Sequence, residues 1–275
     1  MFGKYLVRVR DRMPLIHNIT NYVTANDTAN ILLACGARPI MSDEPDEAED
    51  ITSICSGLVI NIGTLNKMTI EAMFRAGKRA NELGNPVVLD PVGAGASRLR
   101  TETGMMLMEK IKPTAVRGNM SEIKSLAFAC GSTKGVDADI DDLATEENLE
   151  RSIQFVTDFA RQNNVITAAT GAIDLVSDGR KCFVIRGGAA EMGGVTGIGC
   201  QLSAMMTAFL AASVSEPLEA AAASVALMGL AGEIGLSNMA DNEGNASYRN
   251  RIIDAVWNMT DEILTEGEKF EIYER

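Results

Sequence analysis

Short apolar runs alternate along this chain with longer amphipathic segments, and this alternation constrains the fold more than any other feature. Leu58-Val59-Ile60-Asn61-Ile62 stands between glycines, and Val87-Val88-Leu89-Asp90 is a similar run. Such runs are typical of strands buried on both faces of a parallel sheet. Residues 67–83, between them, have the periodicity of an amphipathic helix. Repeated strand–helix units predict an α/β fold, in which a parallel sheet carries helices on both faces.

The composition agrees with this fold class. Hydrophobic residues make up 46% of the 275 residues and aromatic residues only 5%, so the core must be built from Ala, Val, Ile, Leu and the 15 Met. Such a core suits helices packed on a parallel sheet. The sequence shows no linker and no internal repeat, so we expect a single domain over residues 1–275.

The other segments continue the alternation. We expect further strands at residues 38–41, 114–117 and 165–169, and a hairpin over 174–186 with its turn at Asp178-Gly179. Helices are predicted at residues 23–35, 121–130, 149–162, 200–214, 217–235 and 248–266, with another before Lys112. The polar, acidic stretch 131–148 is predicted to be a loop with a short helix.

The charge and the cysteines exclude several classes of function. A net charge of −12 repels nucleic acid, and no basic cluster offsets it, so no nucleic-acid partner is expected. Five cysteines without CxxC spacing predict free thiols in a reducing cytoplasm, and a single histidine argues against a zinc site. The longest apolar run, 202–214, is too short for a bilayer, and the N-terminus lacks a signal-peptide core. We therefore expect a cytoplasmic protein without a membrane partner.

Polar or glycine-rich residues follow most of the predicted strands. Ligands of parallel sheets bind beyond the carboxyl ends of the strands, so these residues should lie along one edge. The group consists of Met41, Asn61-Ile62-Gly63, Asp90-Pro91-Val92-Gly93-Ala94-Gly95, Arg117-Gly118-Asn119, Thr170-Gly171 and the segment from Gly194 to Cys200.

The most informative of these segments is the glycine turn Gly194-Val195-Thr196-Gly197-Ile198-Gly199-Cys200, which runs into an apolar helix. Glycines bring backbone N–H groups close to a ligand, and a helix start adds unpaired amides and the positive end of the helix dipole. This combination suits a phosphate. A glycine turn that merely allows tight helix packing is an equally good interpretation of this motif taken alone.

Four side chains at the same edge are candidates for phosphate chemistry, and each has a plainer alternative. Asp90 could hold Mg²⁺ near a polyphosphate or cap a turn, and Glu122 could be a second carboxylate or a first-turn acid. Arg117 could neutralise a phosphate or form a surface ion pair. Thr170 could form a hydrogen bond to a nucleotide or close a turn.

The polar cluster at residues 17–21 is expected to precede a helix, with Thr20 or Asn21 as its N-cap and His17 as a structural hydrogen-bonding residue.

The remaining cysteines are expected to be small core residues. Cys35, Cys55, Cys130 and Cys182 all lie in apolar or strand-like contexts. Cys200 differs, because it stands where the helix after the glycine turn begins. The standard nucleotide signatures GxxxxGK[ST] and GxGxxG after a strand are absent, so neither a P-loop nor a dinucleotide fold is expected.

Taken together, these motifs resemble the hydroxyethylthiazole kinases of thiamin biosynthesis, in the ribokinase-like group. The resemblance rests on residues 14–23, 90–95, Arg117-Gly118-Asn119 with Ser121-Glu122, and Val195-Thr196-Gly197-Ile198-Gly199-Cys200. It implies a three-layer α/β/α fold without a separate lid, and a homotrimer with active sites between subunits. The implied reaction is phosphorylation by ATP, with Mg²⁺, of the primary alcohol of 4-methyl-5-(2-hydroxyethyl)thiazole.

The resemblance also assigns roles to individual residues. It implies that Arg117 and Thr170 contact ATP, that Met41 and Gly197 line the thiazole site, and that Asp90 and Glu122 serve the metal. Gly197 and Gly199, with Cys200, would form the catalytic turn. Cys200 stands where many ribokinase-like relatives carry aspartate, which argues against the two alternative chemistries, an ATP-dependent repair dehydratase and a hydroxymethylpyrimidine kinase. A non-catalytic scaffold is the third alternative.

Overall fold

The computed structural model describes residues 1–129 and 143–274. Over these residues the chain forms a nine-stranded sheet in the order β2-β1-β3-β4-β5-β6-β7-β8-β9. The strands are β1 (Leu15–Ile19), β2 (Arg38–Met41), β3 (Gly57–Asn61), β4 (Val87–Asp90), β5 (Ala115–Asn119), β6 (Ile166–Thr170), β7 (Asp174–Ser177), β8 (Lys181–Ile185) and β9 (Phe270–Glu274). Cys130 and most of the predicted loop at 131–148 lie outside the described residues.

Helices cover both faces of the sheet. They are α1 (Gly3–Arg12), α2 (Ala25–Cys35), α3 (Pro45–Ile54), α4 (Lys67–Leu83), α5 (Arg98–Ile111), α6 (Met120–Ala129), α7 (Leu149–Asn163), α8 (Ile198–Ala212), α9 (Pro217–Ser237), α10 (Asn245–Asn258) and α11 (Asp261–Gly267), with a 3-10 turn at Ala190–Gly194. One hydrophobic cluster packs α1, α2, α8, α9 and α10 on one face of the sheet. A second cluster packs α4, α5, α6 and α7 on the other face. The predicted α/β/α layering is therefore confirmed.

The strands β1 to β6 pair in parallel, and β7, β8 and β9 pair antiparallel. The sheet is thus mostly parallel, as predicted. The register sets Asn61 beside Asp90 and Asn119 beside Thr170. Polar residues that are far apart in sequence become neighbours because parallel strands end at one edge of the sheet.

Several predicted elements match the structure closely. The ranges 38–41, 67–83 and 87–90 coincide with β2, α4 and β4. Gly36 and Gly84 end α2 and α4 in the left-handed conformation, which glycine adopts without a Cβ clash. The predicted hairpin is present as β7 and β8.

The single helix expected at 248–266 is wrong, because α10 ends at Asn258 and α11 begins at Asp261. Met259 has extended backbone dihedrals, and the Thr260 hydroxyl accepts a hydrogen bond from Ile263 N–H at 3.2 Å. Threonine is a preferred N-cap residue, and its side chain starts a new helix at this point. Strand β9 follows at Phe270–Glu274, where no element was predicted.

The N-terminal elements α1 and β1 were missed. Residues 17–21 precede a helix as expected, but the predicted N-cap at Thr20 or Asn21 is wrong. His17 and Asn18 lie inside β1, and α2 begins only at Ala25, after Thr24 as its N-cap. His17 Nδ1 contacts Thr52 Oγ1 at 2.9 Å, and its Nε2 contacts the Ser42 carbonyl at 3.0 Å. Burial lowers the pKa of His17, and its two buried contacts agree with the expected role as a structural hydrogen-bonding residue.

The buried cysteines and the long apolar helix α9 both belong to the core. Cys35, Cys55 and Cys182 are buried free thiols, as expected. Among the described residues α9 is long and apolar enough to span a membrane, but 72% of its apolar window is buried inside the fold. This helix packs against α8 and α10 and contributes to the first cluster.

Candidate active site

The centre of the site is a buried ion pair at the carboxyl edge of the sheet. Asp90 ends β4 and is fully buried, and Arg117 in β5 is 5% exposed. Arg117 Nη2 donates to Asp90 Oδ2 at 2.8 Å. Burial lowers the pKa of the Arg117 guanidinium, but Asp90, Cys200 and Glu122 together outweigh burial and raise this pKa above its usual value. The pair is therefore a fixed, charged element of the site.

Ser203 completes this pair from α8. Its hydroxyl accepts from Arg117 Nε at 2.9 Å and donates to Asp90 Oδ2 at 2.8 Å. The remaining guanidinium nitrogen, Nη1, makes a long contact of 3.5 Å with Thr170 Oγ1. Ser203 thus fixes both charged groups, while one edge of the guanidinium is only weakly engaged and stays available to an anion.

The first turn of α8 (Ile198–Cys200) lies directly against this guanidinium. A Cβ on Gly199 would lie 2.6 Å from Arg117 Nη2, so only glycine fits there. Gly197, the N-cap, has φ +88°, and a Cβ there would lie 2.6 Å from Thr24 Cγ2. The first bond to Gly197 O comes from Gln201 N–H at 2.9 Å, so the three preceding N–H groups have no intrahelical partner. These amides form an anion site beside a cation.

Cys200 lies on the inner side of the same turn, and its sulfur is held by two asparagines. Asn21 Nδ2 donates to Sγ at 3.1 Å, and Asn61 Nδ2 donates to it at 3.2 Å. Burial raises the pKa of the Cys200 thiol, and the nearby Asp90 carboxylate raises it further, while Arg117 opposes both. The group is therefore a thiol, and not a strong base, near neutral pH.

A cavity of about 690 Å³, hereafter the main cavity, opens on the other side of this turn. Thr170, Ile198 and Gly199 form the wall nearest the anion site. The remaining wall contains Asp174, several glycines and a group of larger apolar side chains, namely Leu143, Met192, Leu202, Val225 and Met228. A cavity of this size with an apolar body and a polar end suits a drug-sized or cofactor-sized ligand. The first turn of α8 thus separates the main cavity from Cys200.

Glu122 links the two loops that follow β4 and β5. Its Oε1 accepts from Gly93 N–H at 2.8 Å and its Oε2 accepts from Asn119 N–H at 2.9 Å. The expected first-turn acid therefore fixes two backbone turns of the site. The oxygen lone pairs that these two hydrogen bonds do not use can still bind a cation, or a water molecule bound to that cation.

Asp174 is the only titratable side chain among the described residues that line the main cavity. Its Oδ1 accepts from Gly171 N–H at 2.8 Å, which closes the turn after Thr170. Burial raises the pKa of Asp174 to about 7. The motifs alone did not single this residue out, although it begins the predicted hairpin directly after the Thr170-Gly171 turn.

Met41 lies apart from the other predicted site residues. It ends the edge strand β2, and three inter-strand steps, about 14 Å at 4.8 Å each, separate β2 from β4. Its side chain is 39% exposed. The structure thus brings Asp90, Arg117, Thr170, Gly199 and Cys200 together, and leaves Met41 on an open rim.

The chain is similar to known proteins over nearly its whole length. A model of the hydroxyethylthiazole kinase family matches residues 6–262. A hydroxyethylthiazole kinase from Clostridium acetobutylicum is 52% identical over 273 residues, which are 99% of this chain and 100% of the relative. The chain belongs to the hydroxyethylthiazole kinase family. A second family member, from Ruminiclostridium cellulolyticum, is 48% identical and covers 98% of this chain and 96% of its own length.

Solved structures agree with membership of the hydroxyethylthiazole kinase family. The structure of a hydroxyethylthiazole kinase protein from Pyrococcus horikoshii OT3 superposes with a TM-score of 0.87 at 36% identity, over 99% of both chains. A ribokinase-like superfamily protein from Enterococcus faecalis V583 has a TM-score of 0.61 at 11% identity, over 90% and 88% of the two chains, and shows the fold alone. The predicted family and the ribokinase-like fold are confirmed, and the protein is a kinase of this family.

The family motifs did not point to every residue of the site. Ser203, Asn21 and Asn61 had no assigned chemical role in the sequence, yet all three contact Asp90, Arg117 or Cys200 directly. A signal existed for Ser203, because residues three apart share a helix face and Ser203 follows Cys200 by three positions. Asn61 was predicted to lie at this edge of the sheet, but no chemical role was predicted for it.

Proposed function

We propose that this protein transfers the γ-phosphoryl group of ATP to the primary hydroxyl of 4-methyl-5-(2-hydroxyethyl)thiazole, in thiamin biosynthesis or salvage. The observation that carries the proposal is the position of the first turn of α8. Its free N–H groups lie between the main cavity and the Cys200 thiol, with the Arg117 guanidinium against Gly199. A phosphoryl group bound there would face a nucleotide on one side and an alcohol on the other.

The main cavity would hold ATP. Thr170 and Gly199 line the polar end, where Arg117 lies beside them, and Met192, Val225 and Met228 offer apolar surface for the base. The acidic surface of the protein gives no general attraction for a polyphosphate, so local donors must supply it. The helix N-terminus and the guanidinium are such donors.

Magnesium fits the carboxylates of the site. Asp90 Oδ2 receives three donors, whereas Oδ1 is buried and has no hydrogen-bond partner among the described residues. Burial of a carboxylate oxygen without a partner is unfavourable, and a cation or a water molecule bound to a cation would supply that partner. Asp90 and Glu122 would hold Mg²⁺, mainly through water and the phosphates, and the ion would supply charge neutralisation on the polyphosphate.

The alcohol would be bound beside Cys200. As the alcohol oxygen bonds to the γ-phosphorus, the bond from that phosphorus to the ADP oxygen breaks, and the hydroxyl proton passes to an oxygen of the transferred phosphoryl group and then to water. Burial and Asp90 raise the pKa of Cys200, so its thiol keeps its own proton at neutral pH and does not serve as the main acceptor of the hydroxyl proton. The reaction therefore depends on positioning and on the amides of residues 197–200, and Cys200 shapes the pocket and assists.

We also propose a cytoplasmic homotrimer with the thiazole site between subunits. Met41, Gly197 and Cys200 would line that site, and Met41 is open to solvent in the single chain. Tyr22 and Val23, directly after the Cys200-binding Asn21, are 66% and 68% exposed. Such apolar exposure beside a binding site supports coverage by a second subunit.

The test is ADP release with Mg·ATP and the thiazole alcohol, with 4-methyl-5-ethylthiazole as the matched control that lacks the hydroxyl. The proposal predicts ADP release that depends on the alcohol and on Mg²⁺, and none above background with the control. Equal ADP release with both compounds would mean that the activity is ATP hydrolysis, and would overturn the proposal.

A further inference from the structure

Asn61 uses its whole amide group inside the site, although no step of the proposed reaction needs it. The residue ends β3 and is 1% exposed. Its Nδ2 lies 3.2 Å from Cys200 Sγ and 2.9 Å from Asp90 Oδ2. One NH₂ group thus contacts Cys200, beside which the alcohol would bind, and Asp90, which lies on the side of the phosphates.

The orientation of this amide is fixed by the backbone. Asn61 Oδ1 accepts from Gly63 N–H at 2.9 Å and from Asn21 Nδ2 at 3.2 Å. A backbone N–H can only donate, so a rotated amide would place NH₂ against N–H and lose both bonds. The NH₂ group must therefore face the sulfur and the carboxylate.

Asn21 is fixed in the same way. Its Oδ1 accepts from Val23 N–H and Thr24 N–H, each at 3.1 Å. Its Nδ2 must then point toward Asn61 and Cys200, as it does. The sulfur therefore receives two donors whose directions are set by β3 and by the loop after β1, whatever its own protonation state.

We propose that Asn61 is a positioning residue for phosphoryl transfer, which holds the Cys200 side and the Asp90–Arg117 side of the site at a fixed separation. The planar NH₂ group has two hydrogens in a rigid arrangement, and both are used. Ser203 also joins α8 to Asp90, about one helical turn further on, but the Asn61 amide links Cys200 in the first turn of α8 to Asp90, so its loss frees that turn to shift relative to β4. This inference rests on the proposed function.

A small shift matters for this chemistry. The reacting oxygen and the γ-phosphorus must approach in line and within contact distance, and a misplacement of about 1 Å can cost about 100-fold in rate. Substrate binding depends less on that alignment than turnover does. The expected signature is therefore a fall in kcat with little change in KM for either substrate.

The test replaces Asn61 with leucine, which has nearly the same shape but no donors. Asn61→Leu is expected to lower kcat by about 10- to 100-fold and to change both KM values by less than about threefold. Asn18→Leu is the matched control, because Asn18 is also buried at 2% exposure, in the adjacent strand β1, and among the described residues its side chain bonds only the Ile16 and Ile40 carbonyls. That control is expected to lose stability but to keep its kcat once folded, as checked by circular dichroism.

A double-mutant cycle separates positioning from a general loss of structure. In a Cys200→Ala background, Asn61→Leu is expected to lower kcat by clearly less than in the wild type, because one of its two partners is already gone. A kcat of Asn61→Leu within about threefold of the wild type, an equal fall in Asn18→Leu, or full additivity with Cys200→Ala would overturn the inference while the proposed function stands. A wild type that does not phosphorylate the alcohol would overturn both.

Discussion

Replacing Asp90 with asparagine tests whether the charged pair at the centre of the site is as buried as the structure shows. The two side chains have almost the same shape, so the change removes the charge and little else. Asparagine at position 90 can still accept from Arg117, Ser203 and Asn61 through its oxygen. Its NH₂ group would occupy the position of Oδ1, which has no partner among the described residues.

The expected cost follows from the geometry of the pair. Asp90 is fully buried, Arg117 is 5% exposed, and their polar atoms are 2.8 Å apart. Two unit charges with centres about 4 Å apart attract by about 4 kcal/mol at an effective dielectric constant of about 20. Removal of one partner from a buried pair also strands the other charge, and such changes cost about 3–5 kcal/mol. We expect Asp90→Asn to lower the free energy of unfolding by that amount.

The assay is urea unfolding followed by far-ultraviolet circular dichroism, at one protein concentration for all variants. The matched control is Glu71→Gln, the same chemical change in an exposed pair with Arg75, where the side chains are 49% and 40% exposed. That pair should contribute less than about 0.5 kcal/mol. A loss below about 1 kcal/mol for Asp90→Asn, similar to the control, would refute a buried and charged pair.

Three further variants test other parts of the site. Burial raises the pKa of Asp174 from 3.8 to about 7, so stability should fall as the pH rises from about 4 to 7, by up to about 4 kcal/mol. Asp174→Asn should flatten this dependence in urea titrations at several pH values, and an unchanged slope would contradict the assignment. Gly197→Val should abolish phosphorylation, since a Cβ there meets Thr24, whereas Gly244→Val, with open space around it, should not. Cys200→Asp should keep or raise turnover, because two amide donors already face that position; a folded but inactive variant would disprove this.

Much of the fold followed from the sequence because its signals are local. The strands β2 and β4 and the helix α4 have the apolar pattern of their type and are flanked by glycine or proline. Strand β1 was missed because His17 and Asn18 are polar. Their burial depends on partners from other elements, which are Thr52 and Ser42 for His17 and the Ile40 carbonyl for Asn18. Those partners belong to tertiary structure, which a local pattern does not contain.

The site also contains some residues that local sequence signals predict and others whose partners are known only from the tertiary structure. The glycine turn, Arg117 and Asp90 could be placed at one edge because strand ends and helix starts are visible in a sequence. The role of Asn61 could not, because its contact with Cys200 joins residues 139 positions apart. Glu122 was predicted from the sequence to serve a metal, and in the structure it also accepts hydrogen bonds from the Gly93 and Asn119 backbone N–H groups.

The most direct test of the account is the identity of the product formed in a competition. The protein is incubated with Mg·ATP and equal amounts of the thiazole alcohol and hydroxymethylpyrimidine, and the phosphorylated products are identified by mass spectrometry. The account predicts the thiazole phosphate as the main product, absent without ATP. Phosphorylated pyrimidine in excess, or no phosphorylated product from active and folded protein, would contradict it.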